Sequence, residues 1–301
     1  MTEQNNRLGI LLMVATTMVF AGQDGISRYL ASHYNVFMVV MIRFWFFAAF
    51  VIVASMRRPG GIRRAAATKQ PAVQIFRGVL LVLEVCVMIY SFTAIGLVQS
   101  HAVFSCYPLL IAALSGPVLG EKVGWRRWTA IGIGFCGVLI ILAPGVEVFS
   151  PLALIPLVSA LMFSLYGLLT RYVARQDPAS VSFFWTGVAG AAAMTLVGIW
   201  FWEPMTTEGW IWMAVLCCTA VTGHYLMIRA YEVAEVAAIQ PFAFLQLIFA
   251  SAIGVSVFGD AVALNTVIGA VVVVSAGLFT LWRARVKHEP AVVVTDPSAQ
   301  P

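Results

Sequence analysis

Charged residues are scarce in this chain of 301 residues. Only 10% of the residues are charged and 61% are hydrophobic, whereas about a quarter of the residues in an average soluble domain are charged. A water-soluble globular fold is therefore excluded. The net charge of +5 does not indicate a nucleic-acid partner, because the basic residues lie in short connecting segments and form no basic face on a folded domain.

Catalytic and metal-binding motifs are missing as well. The five cysteines all lie inside apolar runs and form no CxxC pair, so neither a disulfide framework nor a metal site is expected. No HExxH or GxSxG motif occurs, and no carboxylates cluster with histidines. We therefore expect no metal, no cofactor and no enzymatic activity. The motif at Gly132, Gly134 and Gly137 spells GxGxxG, but within an apolar run such glycines are expected to let helices pack closely.

Long apolar runs are what the chain does contain. A helix rises about 1.5 Å per residue, so about 20 apolar residues cross a hydrocarbon core of about 30 Å. Ten segments meet this requirement, and prolines, glycines and charged residues separate them. They lie at Leu8–Ala31, Val36–Met56, Val73–Ile95, Val98–Leu119, Trp125–Ala143, Pro151–Arg171, Ala179–Trp202, Trp210–Ala230, Val236–Phe258 and Leu264–Trp282. The sequence therefore predicts an all-α membrane protein with ten transmembrane helices.

The distribution of basic residues predicts the orientation in the membrane. Short cytoplasmic loops accumulate Lys and Arg. With the N-terminus in the cytoplasm, all 18 Lys and Arg residues except Arg28 and Arg43 lie on the cytoplasmic side, while the outer loops carry only acidic charges. We expect a multi-pass protein of the cell inner (plasma) membrane with both termini in the cytoplasm.

The two halves of the chain resemble each other. The stretch from Phe20 to Tyr29 matches the stretch from Phe163 to Tyr172 at a constant offset, and Leu119-Gly120-Glu121 is echoed by Phe258-Gly259-Asp260. Five spans in each copy place the two copies in opposite orientations in the membrane. The pattern predicts two inverted five-helix repeats at 1–145 and 146–286, followed by a disordered cytoplasmic tail at 287–301. Transporters built from inverted repeats bind substrate near the midplane and expose it to each side in turn.

These features resemble the EamA-type ten-helix members of the drug/metabolite transporter superfamily. The resemblance rests on residues 107–122, 132–142 and 230–247 and covers nearly the whole chain. Residues 230–247 are more similar to members linked with riboflavin or S-adenosylmethionine uptake than to nucleotide-sugar carriers, and other members export amino acids. The resemblance implies a secondary transporter that moves an amino acid, a vitamin or a nucleoside-like metabolite across the inner membrane by alternating access.

Polar residues within the spans are the candidates for a binding site, since ionisable groups in a bilayer normally face a partner or a water-filled cavity. Asp24 and Arg43 lie at equal depth in adjacent spans, so we expect an ion pair that either fastens two helices or lets Arg43 bind a substrate carboxylate. Glu84, near the middle of the third span, suits substrate or proton handling. The other candidates are polar or aromatic side chains: His101, Tyr107, Tyr166, His224, Gln240, Phe244 and Gln246.

Two prolines complete the set of candidates, and the two histidines named above have an alternative interpretation. Pro108 and Pro241 are expected to kink their helices, because proline removes a backbone hydrogen bond. For His101 and His224, an ordinary contact between neighbouring helices is the main alternative to a role in binding.

Two other functions remain open at this point. A membrane-embedded enzyme would need a nucleophile, metal-binding acids or a sizeable extramembrane domain, and a receptor or channel would need a signalling domain or a continuous polar pore. Neither set of features is evident in the sequence. The expected partners are a small-molecule substrate, the lipid bilayer and, in a coupled transporter, protons. Both a monomer and a homodimer are compatible with the sequence.

Overall fold

The computed structural model describes residues 6–120, 124–142, 151–234 and 239–286, and these residues form helices and no strand. Three short 3-10 helices also occur, at Pro151–Leu154, Ile199–Phe201 and Gln240–Phe244. The α-helices, numbered in chain order, are α1 (Asn6–His33), α2 (Val36–Met56), α3 (Gly61–Ala66), α4 (Pro71–Ile95), α5 (Leu97–Phe104), α6 (Tyr107–Leu119), α7 (Trp125–Leu142), α8 (Ile155–Val173), α9 (Ala179–Gly198), α10 (Thr207–Val233), α11 (Leu245–Phe258) and α12 (Leu264–Val286).

Eight helical segments within the described residues are long and apolar enough to cross a membrane. Two shorter apolar segments, Trp128–Leu142 and Leu264–Thr280, coincide with the predicted fifth and tenth spans. An all-helical, multi-pass membrane protein, as predicted from the sequence, is therefore confirmed. The predicted tail at 287–301 lies outside the described residues.

The predicted fourth span is divided into two helices. Leu97–Phe104 forms α5, the chain turns at Ser105 and Cys106, and α6 then begins at Tyr107. Pro108 lies in the first turn of α6, where its missing N–H leaves no hydrogen bond unmade. Pro241 occupies the same kind of position, in the first turn of the 3-10 helix that precedes α11. Both prolines therefore lie where a helix restarts.

The helices pack mostly between the first and the second half of the chain. Helix α1 packs on α10, α4 packs on α8 and α9, α2 packs on α9, and α7 packs on α12. The glycine motif serves the contact between α7 and α12, because a Cβ atom on Gly137 would lie 2.9 Å from the carbonyl oxygen of Gly269. The prediction that these glycines let two helices pack closely is therefore confirmed.

Apolar side chains fill most of the interior. One cluster joins α2, α4 and α9, and another joins α5, α6, α7 and α12. Among the described residues, α1 and α4 each carry four buried polar residues, more than any other helix. They are Thr16, Thr17, Gln23 and Ser27 on α1, and Gln74, Arg77, Glu84 and Ser91 on α4. A polar site must therefore be sought where α1 and α4 meet their neighbours.

Candidate functional site

Three of the predicted site residues meet at Asp24 of α1. Gln246 of α11 donates a hydrogen bond from Nε2 to Asp24 Oδ2 at 2.9 Å. The Nε2 atom of His101, on α5, lies 3.2 Å from the same oxygen, although its orientation does not make a hydrogen bond. A carboxylate, an amide and an imidazole from both halves of the chain are thus brought together.

Arg43 of α2 lies near this group without a direct partner. Its side chain is buried, with 8% of its surface exposed, and within the described residues its guanidinium makes no hydrogen bond or salt bridge. It interacts electrostatically with Asp24 and Glu84. The predicted ion pair between Asp24 and Arg43 is not formed as a direct contact, because α1 and α11 hold Asp24 through Gln246. A buried cation left without hydrogen-bond acceptors is suited to binding an anionic group.

Glu84 of α4 has a partner that the sequence did not predict. Its carboxyl is buried, with 4% of the residue exposed, and Ser159 of α8 donates a hydrogen bond to its Oε1 atom at 2.6 Å. Glu84 also interacts electrostatically with Asp24 and Arg43. Asp24, Arg43 and Glu84 are called the charged triad from here on. The triad combines two acids and one base at the junction of the two halves.

A row of aromatic rings continues from Ser159 along α8. Phe163 and Tyr166 follow Ser159 by four and seven residues, a spacing that places all three on one face of the helix. The Phe163 ring lies 5.1 Å from that of Tyr107, 5.4 Å from that of Phe104 and 6.1 Å from that of Tyr166, measured between centroids. These four half-buried rings form the aromatic cluster. Faces and edges arranged in this way can stack on a planar ligand.

His224 of α10 interacts electrostatically with one member of the charged triad and makes no hydrogen bond to it. Its Nδ1 atom lies 2.8 Å from the carbonyl oxygen of Ala220, one turn back on its own helix. The ring contacts those of Phe20 and Phe47, with centroid distances of 5.2 and 5.6 Å. An electrostatic interaction connects it to Arg43. The alternative role predicted for His224, an ordinary contact with neighbouring helices, is therefore present in the structure.

One predicted site residue, Phe244, lies against a helix that carries no member of the charged triad. Phe244 packs against α12, where a Cβ atom on Gly277 would lie 2.7 Å from the tip of its ring. The side chain of Gln240 lies outside the described part of the chain.

A second buried arginine, Arg77 of α4, anchors a network that sequence reasoning missed. With 1% of its surface exposed, it donates to Tyr166 Oη at 3.2 Å and to Thr170 Oγ1 at 3.0 Å. It also donates to Gln74 Oε1 at 3.0 Å and to the backbone carbonyl of Ser182. One feature of the sequence could have indicated this network: Gln74 and Arg77 lie three residues apart on an apolar helix, so their side chains share one face.

The network ends at Asp177, in the link between α8 and α9. Its carboxylate accepts hydrogen bonds from the Thr68 hydroxyl, from the backbone N–H of Lys69 at 3.1 Å and from Gln74 Nε2 at 2.9 Å. Burial alone disfavours ionisation of Asp177, but these hydrogen bonds outweigh it and lower its pKa below the ordinary value. A stable carboxylate thus balances the Arg77 charge through Gln74.

Comparisons with known proteins give one family and several relatives. Residues 7–143 match the model of the EamA-like transporter family. The S-adenosylmethionine uptake transporter of Rickettsia prowazekii is 24% identical over 296 residues, which are 96% of this chain and 97% of that protein. The riboflavin transporter of Vibrio cholerae is 24% identical, over 92% of this chain and 94% of that protein. The riboflavin transporter of Brucella anthropi is 27% identical, over 89% of this chain and 96% of that protein.

The fold also occurs in a solved crystal structure. That structure superposes with a TM-score of 0.63 at 17% sequence identity, over 92% of this chain and 98% of the other. At this identity the similarity concerns the arrangement of helices alone.

Proposed function

Because residues 7–143 match the EamA-like transporter family and the relatives aligned over nearly the whole chain are transporters, we propose that the charged triad binds the small organic metabolite that this chain moves across the membrane. The observation that carries this proposal is Arg43, a buried guanidinium without a hydrogen-bond acceptor among the described residues. A transporter needs such an incompletely paired site, because groups already paired within the protein have little to gain from a substrate.

The cycle we propose is alternating access between two inverted repeats, at 1–145 and 146–286. The packing of the helices supports it. If α1, α2, α4, α5–α6 and α7 correspond to α8, α9, α10, α11 and α12, exchanging the two sets turns the contact of α1 with α10 into that of α8 with α4. The same exchange maps the contacts of α2 with α9 and of α7 with α12 onto themselves. Such a contact pattern is what a two-fold axis between the halves produces, and five spans in each half would place that axis in the membrane plane.

The chemistry of the site favours a zwitterion that carries a planar ring. Arg43 is suited to a carboxylate, the acids Asp24 and Glu84 are suited to an ammonium or sulfonium group, and the aromatic cluster is suited to a heterocycle. S-adenosylmethionine, which the Rickettsia relative is named for taking up, has all three groups. Riboflavin is the second candidate, because its uncharged flexible chain and flat ring system match the aromatic cluster but leave Arg43 without an anion.

We also propose that the protein resides in the inner membrane with both termini in the cytoplasm. The support is the sequence distribution of Lys and Arg, which are absent from the predicted outer loops. In this orientation, Asp177 lies at the cytoplasmic end of the bundle and Asp260 at the opposite end.

Transport in reconstituted vesicles tests the proposed substrate. Purified protein is placed in proteoliposomes, and entry of radiolabelled S-adenosylmethionine and of riboflavin is measured separately, with Arg43→Met vesicles as the matched control. We expect saturable S-adenosylmethionine entry that the control lacks. Riboflavin entry unaffected by Arg43→Met would favour the second candidate. No entry of either compound, nor of a panel of amino acids and nucleosides, by folded protein would overturn the proposal.

Glu84 is the residue we propose to carry a coupling proton. It is a buried acid, electrostatically connected to both other members of the triad, and one hydrogen bond from Ser159 holds it in place. We expect Glu84→Gln, which cannot release a proton, to flatten the pH dependence of transport. Ser159→Ala keeps the acid and serves as control, so its profile should shift but not flatten. An unchanged profile in Glu84→Gln would exclude Glu84 as the coupling group.

A further inference from the structure

Arg28 and Asp260 form a salt bridge at one end of the helix bundle. Arg28 Nη1 lies 2.7 Å from Asp260 Oδ1, and the two side chains are 16% and 10% exposed. The guanidinium carbon also lies 4.3 Å from the centre of the Phe258 ring. The bridge is thus largely shielded from water. It connects α1 in the first half of the chain to the end of α11 in the second.

The same carboxylate also holds the start of α5. Asp260 Oδ2 accepts hydrogen bonds from the backbone N–H groups of Leu97 at 2.7 Å and Val98 at 3.3 Å, which are free donors in the first turn of a helix. Gly96 makes the approach possible, because a Cβ atom there would lie 2.8 Å from the carboxylate and its φ is +85°. Asp260 therefore ties three helices together: α1, α5 and α11.

These three helices are the ones that meet at Asp24. Asp24 lies on α1 one turn before Arg28, His101 lies on α5 one turn after Leu97, and Gln246 lies on α11. The salt bridge thus holds closed the same three helices whose side chains surround one member of the charged triad. Separating them at this end would expose Asp24 and its neighbours to solution.

We infer that Arg28 and Asp260 are the latch that closes the binding site at this end of the bundle. The latch breaks whenever the site opens there and re-forms when the site opens to the other side. This inference rests on the proposed alternating access. Since a charge-assisted hydrogen bond is roughly twice as strong as a neutral one, loss of the Arg28 contact is expected to shift the equilibrium toward the open form about tenfold.

A buried reporter cysteine measures this opening without any transported substrate. Ser27, next to Arg28, is 1% exposed and its hydroxyl has no hydrogen-bond partner among the described residues, so Ser27→Cys breaks no contact. In a background with the five native cysteines replaced by alanine, the rate of labelling by a membrane-impermeant thiol reagent is recorded. We expect Arg28→Gln to raise this rate about tenfold.

Two comparisons separate the latch from general loosening of the fold. Asp260→Asn removes the same charge but also weakens the cap on α5, so Arg28→Gln, which leaves that cap intact, is the safer test. Glu208→Gln is the matched control, because Glu208 accepts an exposed hydrogen bond from Tyr29, the neighbour of Arg28, at 3.0 Å. Labelling that is equal in Arg28→Gln and Glu208→Gln, at unchanged unfolding temperature, would overturn the latch.

A cleavable crosslink tests the link between the latch and transport. In the cysteine-free background, Arg28→Cys with Asp260→Cys is joined by a short bifunctional thiol reagent, because the arginine side chain spans more distance than a disulfide can. The crosslink should abolish substrate entry, and its cleavage should restore entry. Entry that continues in the crosslinked protein would show that this end need not open. Absence of entry in the unmodified protein would instead contradict the proposed function, while the labelling result would still test the latch.

Discussion

Arg43 and Arg77 are both buried arginines on helices of the first half, yet their surroundings are opposite. Arg77 donates hydrogen bonds to three side chains and one backbone carbonyl. One of these side chains, Gln74, in turn donates a hydrogen bond to the Asp177 carboxylate. Arg43 has no hydrogen-bond acceptor among the described residues and only electrostatic interactions with two acids. Both are equally basic in sequence, so burial and charge alone do not identify a binding residue.

The difference between the two arginines indicates what each contributes. A buried cation with four hydrogen-bond acceptors, such as Arg77, holds helices in position, because its removal takes a donor from each of them. A buried cation without acceptors contributes little to folding and keeps its donors for a ligand. Mutating the two arginines should therefore separate stability from binding.

The largest effect is expected from Arg77→Met. The side chain keeps its length but loses all donors, so Gln74, Tyr166 and the Ser182 carbonyl lose their partner. We expect the free energy of unfolding in detergent to fall by about 3 kcal/mol or more. Arg43→Met is the matched control and should leave it unchanged or raise it, because this variant removes a buried charge that has no hydrogen-bond acceptor. Equal losses in the two variants would contradict the division between an anchoring and a binding arginine.

Binding should reverse the order of the two variants. Arg43→Met removes the group proposed to hold the substrate carboxylate, and Arg43→Lys retains the charge but not the planar pair of donors. We expect the apparent affinity for S-adenosylmethionine to fall more than about tenfold in Arg43→Met and less in Arg43→Lys, measured by ligand-induced thermal stabilisation. Arg77→Lys, compared at equal amounts of folded protein, should retain the affinity of the parent chain. Unaltered affinity in Arg43→Met would remove Arg43 from the site.

Much of the helical framework could be predicted from the sequence, because apolar length determines where a membrane helix lies. The prediction for α2, Val36–Met56, coincides with the helix observed, which Asn35 caps by accepting a hydrogen bond from the Phe37 N–H. The break between α5 and α6 was predicted only as a kink at Pro108, which lies in the first turn of α6. The turn itself, at Ser105 and Cys106, could not be predicted, since both residues are compatible with a continuous apolar helix.

The candidate site was predictable where a residue is rare and not where it is common. Asp24 and Glu84 were found because acids seldom occur in membrane helices. Ser159 was missed because serine is frequent there and has no charge. The predicted direct ion pair between Asp24 and Arg43 is not formed, since helices that follow each other in the sequence need not pack side by side. Helix α1 packs chiefly on α10 and α11.

Asp177 offers the smallest and most specific test of the comparison, because it is the distant end of the Arg77 network. Its pKa is lower in the folded protein, so its contribution to stability is complete above the ordinary carboxyl pKa of about 4 and is lost as the pH falls through the lower folded value. We expect Asp177→Asn to reduce the free energy of unfolding by about 1 kcal/mol at pH 7. The gap to the parent chain should close as the pH is lowered toward 3.

The pH dependence distinguishes this carboxylate from an ordinary surface acid. Unfolding temperatures of the parent chain, of Asp177→Asn and of the control Glu208→Gln are compared across the same pH series. Glu208→Gln should have little effect at any pH, since exposed polar contacts contribute little to stability. A gap between the parent chain and Asp177→Asn that stays constant down to pH 3 would mean that the Asp177 charge does not stabilise the Arg77 network, and the buried cation on α4 would then be balanced by hydrogen bonds alone.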